Sequence, residues 1–288
     1  MSSSTLTRPV AAALDVAPED YRRRAGLDVA ARPGRFRLAV GRLARGSVAV
    51  VAFAALWEVA PRLGLVDRVF LPPLSVALGA LADLVANGQL AVHLQASLTR
   101  ALIGLSIAIS AAIPLGAAIG RSPAVARLLN PVLELFRNTA ALALLPVFVL
   151  VLGIGETSKI ALVVYACFFP VLLSTITGVR TVDPLLLKSA RSLGLHPLQL
   201  FTKVTLPAAV PTIFTGVRMA GAASILVLVA AEMVGARAGL GYLVTAAQQN
   251  FAIPDMYAGI LTIALVGLAI NAVLLLAERR LSRWRPSA

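Results

Sequence analysis

Apolar runs close to twenty residues long recur along this chain, at about residues 47–65, 98–119, 131–153, 159–178, 212–235 and 256–277. A helix rising about 1.5 Å per residue needs about twenty residues to cross a hydrocarbon layer of roughly 30 Å. Lipid offers no hydrogen-bond partner to an open backbone, so each crossing has to be helical. The expected fold class is therefore all-α, a polytopic membrane protein with six transmembrane helices. Composition agrees, because 59% of the residues are hydrophobic and only 14% charged, too few charges to cover a soluble surface.

The formal net charge of +13 does not describe a nucleic-acid footprint. The basic residues sit in short runs beside apolar spans, and no basic stripe is interleaved with stacking aromatics. They report orientation instead, since cytoplasmic flanks hold the excess of Lys and Arg. With the N-terminus inside, the inner flanks receive Arg121, Arg127, Arg137, Arg180, Lys188, Arg191, Lys203, Arg218, Arg279, Arg280, Arg283 and Arg285. The outer flanks receive only Arg62, Arg68, Arg100, Lys159 and Arg237. Both termini are accordingly expected in the cytoplasm of a bacterial cell. The domain plan is an Arg-rich, mobile cytoplasmic arm over 1–46, a membrane domain over 47–278 with a cytoplasmic loop at 180–211, and a basic tail over 279–288. The default for the arm is disorder with weak attraction to the lipid bilayer.

Catalytic and metal chemistry find little support. Cys167 is the only cysteine and lies within an apolar run, while His93 and His196 lack companion ligands, so no metal site is expected. Lys159, Lys188 and Lys203 are the only lysines, and none follows a glycine in a phosphate-cradling loop. The chain is thus expected to carry neither a catalytic residue nor an ATPase site, and to bind no cofactor. An integral membrane enzyme would need clustered reactive side chains at one depth. A stand-alone secondary carrier, the other alternative, typically shows paired repeats with broken helices and buried ion ligands.

Between spans four and five lies a polar, basic stretch, KSARSLGLHPLQLFTKVTLP, from Lys188 to Pro207. Asp183 can cap a helix that Pro184 begins and that runs over Leu185 to Leu193. Gly194 permits a left-handed cap, and His196 with Pro197 start a second short helix reaching about Val204. Pro207 and Pro211 are expected to break the chain before the next span. Small residues Ser189, Ala190 and Ser192 leave a shallow face that another protein can approach. Two other stretches are too polar or short to span: an amphipathic surface helix over Leu74 to Leu94, and a Gly-rich loop with a short helix at Tyr242 to Gln249.

The helix–turn–helix resembles the cytoplasmic signature of ATP-binding-cassette (ABC) importer permeases: Glu-Ala-Ala, three residues, Gly, nine residues, an aliphatic residue, any residue, Leu-Pro. Lys188, Ser189 and Ala190 hold the first three places, Gly194 the glycine, Val204 the aliphatic position, and Leu206 with Pro207 the ending. Lys188 for Glu and Ser189 for Ala are departures that bear on the usual acidic contact and not on spacing. The resemblance covers about residues 47–285 and extends to the subgroup importing aliphatic sulfonates, taurine or nitrate. It is carried by FLPPLS at Phe70 to Ser75, IPLGAAIG at Ile113 to Gly120, LGIGETSKI at Leu152 to Ile160, LPAAVPTIFTGV at Leu206 to Val217, AAEM at Ala230 to Met233 and GLGY at Gly239 to Tyr242. At Asn138 to Ala140 the subgroup often has a proline-containing run, absent here.

The resemblance implies a type I importer permease fold, a second copy of this chain as partner, two separate ABC ATPase subunits that hold ATP and Mg, and an extracytoplasmic substrate-binding protein. The ATPase-coupling loop would comprise Lys188, Ser189, Ala190, Arg191, Ser192, Gly194, Leu195, His196, Leu206 and Pro207. The cargo it implies is a small anion, an aliphatic sulfonate or taurine, with nitrate or a vitamin precursor as the alternative. Candidates for the translocation path or its gating are Arg137, Asn138, Arg218 and Glu232. A carboxylate is a poor ligand for an anion, so the expectation for Glu232 is a structural or gating partner, and for the two arginines interface anchoring.

Overall fold

The computed structural model of the chain describes residues 35–281. Among them every regular element is helical and no strand occurs. The chain divides into two units, one ending at Val59 and one starting at Ala60. The first unit contains most of helix α1 (Arg35–Arg62), with Phe53 and Trp57 in edge-on ring contact one turn apart. The expected mobile arm extends through residue 46, yet the helix already begins at Arg35. Ala, Leu and Arg are strong helix formers, and a run such as RFRLAVGRLAR sustains a helix ahead of the apolar stretch. The rest of the arm and the tail beyond Leu281 lie outside the described residues.

The second unit is organised around helix α6 (Glu156–Arg180), which packs along one side against α3 (Gln89–Arg121) and along the other against α9 (Leu206–Glu232). In hydrocarbon, helix association depends on close backbone approach, which small residues permit. A Cβ added at Gly104 would fall 2.6 Å from Val163 Cγ1, at Gly116 2.7 Å from Thr175 Cβ, and at Gly120 2.9 Å from Val179 Cβ. The α6–α9 seam is built likewise, with a Gly216 Cβ falling 2.4 Å from Ser174 Cβ. Buried Ala108, Ala112, Cys167, Val171, Leu172, Ala209, Ala220 and Leu228 fill the space between the three helices. Cys167 donates from Sγ to the Ala220 carbonyl at 3.3 Å, a packing role across the seam.

Three boundaries differ from expectation. The span expected at 131–153 is two helices, α4 (Pro123–Asn138) and α5 (Leu145–Leu152), the latter preceded by a 3₁₀ turn at Ala141–Leu144, with a bend of 83°. Thr139 and Ala140 are extended, which ends the helix without any proline at 138–140, and Thr139 Oγ1 donates to the Leu135 carbonyl at 3.0 Å. The amphipathic helix expected over Leu74 to Leu94 is also split. Helix α2 (Leu74–Ala86) stops at Asn87 and Gly88, whose φ of 76° suits glycine, and α3 starts at Gln89 and runs for 33 residues.

The third difference concerns Pro207 and Pro211, which do not break the chain. Helix α7 (Pro184–Ser192) and the short α8 (Pro197–Leu200) lead through a π-type turn at Phe201–Thr205 directly into α9. Pro207 directly follows the π-type turn, whose widened hydrogen bonding accommodates its missing amide, and Pro211 lies inside α9 without ending it. In the widened turn the Leu206 amide reaches back to the Phe201 carbonyl, and Thr205 Oγ1 donates to the Leu200 carbonyl at 3.3 Å. The result is one helical run of 36 residues, Pro197–Glu232. Helices α10 (Leu240–Gln249) and α11 (Ile253–Leu281) complete the unit, α11 packing on α9, α10 and α2.

Among the described residues four helices are long and apolar enough to cross a membrane, or five if α4 and α5 form one broken span. These correspond to the second to sixth expected spans, and the first expected span falls on α1. Gly104→Leu should overpack the α3–α6 seam and cost about 1–3 kcal/mol, read as a lower unfolding midpoint of the purified protein in nanodiscs. Gly79→Ala, where a Cβ meets nothing within 4 Å, should leave the midpoint unchanged or raised.

Candidate functional site

Two constructions stand at opposite ends of α9. At its N-terminal end, α6 ends at Arg180 and the chain turns into α7, where the Asp183 side chain accepts the Leu185 amide at 2.8 Å and Pro184 occupies the first turn. The helix closes in a Schellman motif, with the Gly194 amide donating to Arg191 O at 2.9 Å and the Leu195 amide to Ala190 O at 3.4 Å. Gly194 has φ +78°, the left-handed conformation this cap requires. The Gln199 side chain then accepts the His196 amide at 3.3 Å, fixing the start of α8.

Of the coupling-loop candidates, Lys188, Ser189, Arg191, Ser192, Gly194 and His196 are exposed, Leu195 is half-buried and Ala190 is buried. Leu206 and Pro207 belong to the first turn of α9, set apart from the exposed face. The outward surface carries apolar side chains as well, with Leu185, Leu193 and Leu198 more than 60% exposed. Leu185 lies in the first turn of α7, Leu193 at its end and Leu198 in α8.

At the other end of α9 lies a buried polar cluster. Glu232 is 1% exposed, and its carboxylate accepts from Arg100 Nη1 at 2.6 Å, from Ser97 Oγ at 2.8 Å and from the Gly241 amide at 3.0 Å. Arg100, itself buried, also donates to both carboxylate oxygens of Glu156, through Nη2 at 2.8 Å and through Nε, and to the Ala238 carbonyl at 2.6 Å. Ser97 Oγ accepts the Leu240 amide at 2.8 Å, and the Gly239 amide donates to His93 Nδ1 at 3.2 Å. Lys159 is buried beside this cluster and donates to the carbonyls of Gly155 and Gly235 at 2.9 and 3.5 Å. One arginine thereby ties α3, α6, α9 and the loop after α9 into a single clamp.

The GLGY stretch is explained by this clamp. A Cβ at Gly239, where φ is +131°, would fall 2.3 Å from the Glu232 carboxyl carbon, and one at Gly241 would fall 2.2 Å from the Val229 carbonyl oxygen. Only glycine allows the backbone to close over the carboxylate. AAEM and GLGY, separate in sequence, are the two halves of one contact. Arg100 and Lys159, read from the sequence only as outer-flank charges, are buried, at 5% and 3% exposed. A signal for them existed: Arg100 opens the second expected span with Ser97 one turn before it, and an arginine retained inside an apolar run calls for a buried acid.

The remaining path candidates separate. Arg137 is half-exposed, pairs with Glu134 at 2.6 Å and borders a cavity between α4, α6, α9 and α11. Arg218 pairs with Glu278 at 3.1 Å on that cavity's rim. Asn138 is exposed at the end of α4 and outside the lining, while Glu232 lies fourteen residues beyond Arg218, about 21 Å along the helix. Among the described residues no group of three His, Cys, Asp or Glu side chains is placed to hold a metal.

Residues 104–285 match the family described as binding-protein-dependent transport system inner membrane component. The taurine transport system permease protein TauC of Escherichia coli (strain K12) is 38% identical over 247 residues, 84% of this chain and 89% of that protein. A Bacillus subtilis (strain 168) protein provisionally named the aliphatic sulfonates transport permease SsuC is 35% identical over 257 residues, covering 89% and 92%. In fold the chain is similar to the MetNI methionine ABC transporter in its inward-facing form, with a TM-score of 0.58 at 17% identity over 65% of this chain and 93% of that one. Helices, clamp and matches together define an integral membrane transport component. The chain belongs to the binding-protein-dependent ABC importer permeases, a family of inner-membrane subunits whose ATPase is a separate chain.

Removing Glu232 takes from buried Arg100 one of its two acids, leaving Glu156 alone, and deprives the Ser97 hydroxyl and the buried Gly241 amide of their shared acceptor. Glu232→Ala should cost about 3–5 kcal/mol, measured as thermal unfolding in nanodiscs, whereas the double change Arg100→Met with Glu232→Met should recover much of that loss. Glu156→Gln, at a side chain 62% exposed, should cost markedly less than Glu232→Ala.

Proposed function

We propose that this chain forms the translocation path of an ATP-driven importer for a small sulfonate and couples it to a separate ATPase through α7. In this reading the chain has six spans with both termini in the cytoplasm, so α7 and α8 face the ATPase and the Arg100–Glu232 clamp lies toward the outer face. Two copies of the permease, two ATPase subunits holding ATP and Mg, and an extracytoplasmic binding protein make up the complex.

The observation that carries the reading is the construction of the α7–α8 hairpin. It is capped at both ends, exposes leucines at its tip, and continues into α9 without a break. A partner that closes against α7 therefore moves α9 with it, as a rigid-body rearrangement. The sulfonate assignment draws on the TauC and SsuC likeness along most of both chains. Nitrate is the second reading, supported by the nitrate import permease protein NrtB of Leptolyngbya laminosa at 33% identity over 63% of this chain.

Gly194→Val tests the coupling. There is room for the side chain, since a Cβ meets nothing within 4 Å, but a β-branched residue at φ +78° is strained by about 1–3 kcal/mol. The cap should open and redirect α8. Expected is normal membrane insertion, reduced copurification of the ATPase, and ATP-driven taurine or alkanesulfonate uptake at least about tenfold lower. Unchanged copurification and uptake would exclude α7 as the coupling element. Uptake of nitrate in preference to either sulfonate by the unaltered complex would select the second reading.

A further inference from the structure

The cavity bordered by Arg137 measures about 550 Å³ and lies where the C-terminal half of α6 faces the N-terminal half of α9. Its polar lining consists of Arg137, Ser174, Thr177, Thr212, Thr215 and Glu278. Serines and threonines inside helices ordinarily return their hydroxyl to a carbonyl one turn back. Thr175, Thr215, Ser224, Thr245 and Thr262 all do so here. Among the described residues the hydroxyls of Ser174, Thr177 and Thr212 have no protein hydrogen-bond partner. All three line this cavity. Ser174 is brought against α9 by the close approach at Gly216, so these three hydroxyls stand together at the α6–α9 seam, whereas Thr99, Ser106, Thr157 and Ser189, which also lack a protein partner among the described residues, are scattered.

The charges on the cavity are one of each sign, the Arg137 guanidinium and the Glu278 carboxylate. Each has a side-chain partner, Glu134 and Arg218, and neither pair is buried: the side chains are 51% and 43% exposed in one, 37% and 22% in the other. The exposed Arg137–Glu134 pair is weak, worth about 0–1 kcal/mol, while the Arg218–Glu278 pair is partly buried and leaves one Glu278 oxygen outside its bond to Arg218. A simple anion would meet Arg137 and the hydroxyls but would also face the Glu278 carboxylate. A molecule with an acid group at one end and an ammonium at the other can use all of these groups.

We propose that this cavity is a site for a zwitterionic aminoalkanesulfonate. Its sulfonate oxygens accept from Arg137 and from the Ser174, Thr177 and Thr212 hydroxyls, and its ammonium donates to Glu278. The proposal rests on the sulfonate-importer reading and extends it by naming the contacts and the ammonium requirement. A cavity of this volume also holds several waters, since each water takes about 30 Å³ of liquid. Loose, hydrated coordination suits a site that must release its cargo inward.

The test compares taurine with ethanesulfonate, which differ only by the ammonium group, as competing cargoes of the complete complex reconstituted with its ATPase and binding protein. Glu278→Gln should lower kcat/KM for taurine by about tenfold, the loss of one charge-assisted hydrogen bond, and leave that for ethanesulfonate unchanged or higher. Arg218→Gln, which breaks the same ion pair but keeps the carboxylate, should not lower the taurine preference. Thr212→Val should reduce uptake of both probes. An unchanged taurine-to-ethanesulfonate ratio in Glu278→Gln, or the same fall for both probes, overturns the site. The same loss of taurine preference in Arg218→Gln also overturns it, because it assigns the effect to the broken ion pair. If the unaltered complex takes up neither probe, the functional reading fails and the site with it; uptake of both with no ratio change sinks the site alone.

Discussion

A guanidinium placed among apolar helices has to be answered by an acid, and Arg100 is answered twice. Its contacts with Glu232 and Glu156 hold the ends of α3, α6 and α9 at fixed separation, and its bond to the Ala238 carbonyl fixes the loop that follows α9. The Glu232 carboxylate accepts hydrogen bonds from Arg100, Ser97 and the Gly241 amide, so its cost of burial is offset on several sides. The other features of that end follow from closing backbone over a carboxylate. Gly239 and Gly241 are glycine because nothing larger fits, and α10 begins where its first amides meet Ser97 and Glu232.

The same helix that ends in the clamp begins at the α7–α8 hairpin, and this continuity gives the fold its mechanical character. Pro197–Glu232 is an unbroken helical run, so the exposed hairpin and the buried clamp are two ends of one rod. Rigid elements with tight glycine seams move as bodies. The α6–α9 seam is tight at Gly216 and opens beside it into the hydroxyl-lined cavity. On the proposed coupling, a displacement applied at α7 would pass through the turn at 193–196 to α9, and so to the wall of the cavity and to the clamp.

Much of this was legible in the sequence, and the failures have physical causes. Asp183, Pro184 and Gly194 announced the hairpin because capping is local chemistry: the carboxylate accepts an amide two residues away and the glycine adopts the left-handed turn. The apolar runs located the long helices because lipid leaves the backbone no alternative. Pro207 and Pro211 misled: Pro207 follows a π-type turn that reorganised the hydrogen bonds at the start of α9, and Pro211 is carried inside that helix without ending it. The 83° break after α4 falls at the extended residues Thr139 and Ala140, where no proline or glycine announces it. The burial of Arg100 and Lys159 went unread because orientation rules count charges near span ends without asking what they touch. Their partners, Glu232 and the Gly235 carbonyl, lie 132 and 76 residues further along the chain, a pairing no local pattern contains.

The central claim is that hairpin and clamp move as one body when the ATPase works. It is tested most directly by an electron–electron distance measurement between spin labels at Ser192 on α7 and Arg237 beside the clamp. The labels are placed in a Cys167→Ala background, in the assembled complex with and without ATP. A rigid rod requires the Ser192–Arg237 distance within one permease to stay constant across the nucleotide cycle, while the Ser192 to Ser192 distance between the two copies changes. A Ser192–Arg237 distance that shifts with nucleotide while the inter-copy distance stays fixed would contradict it.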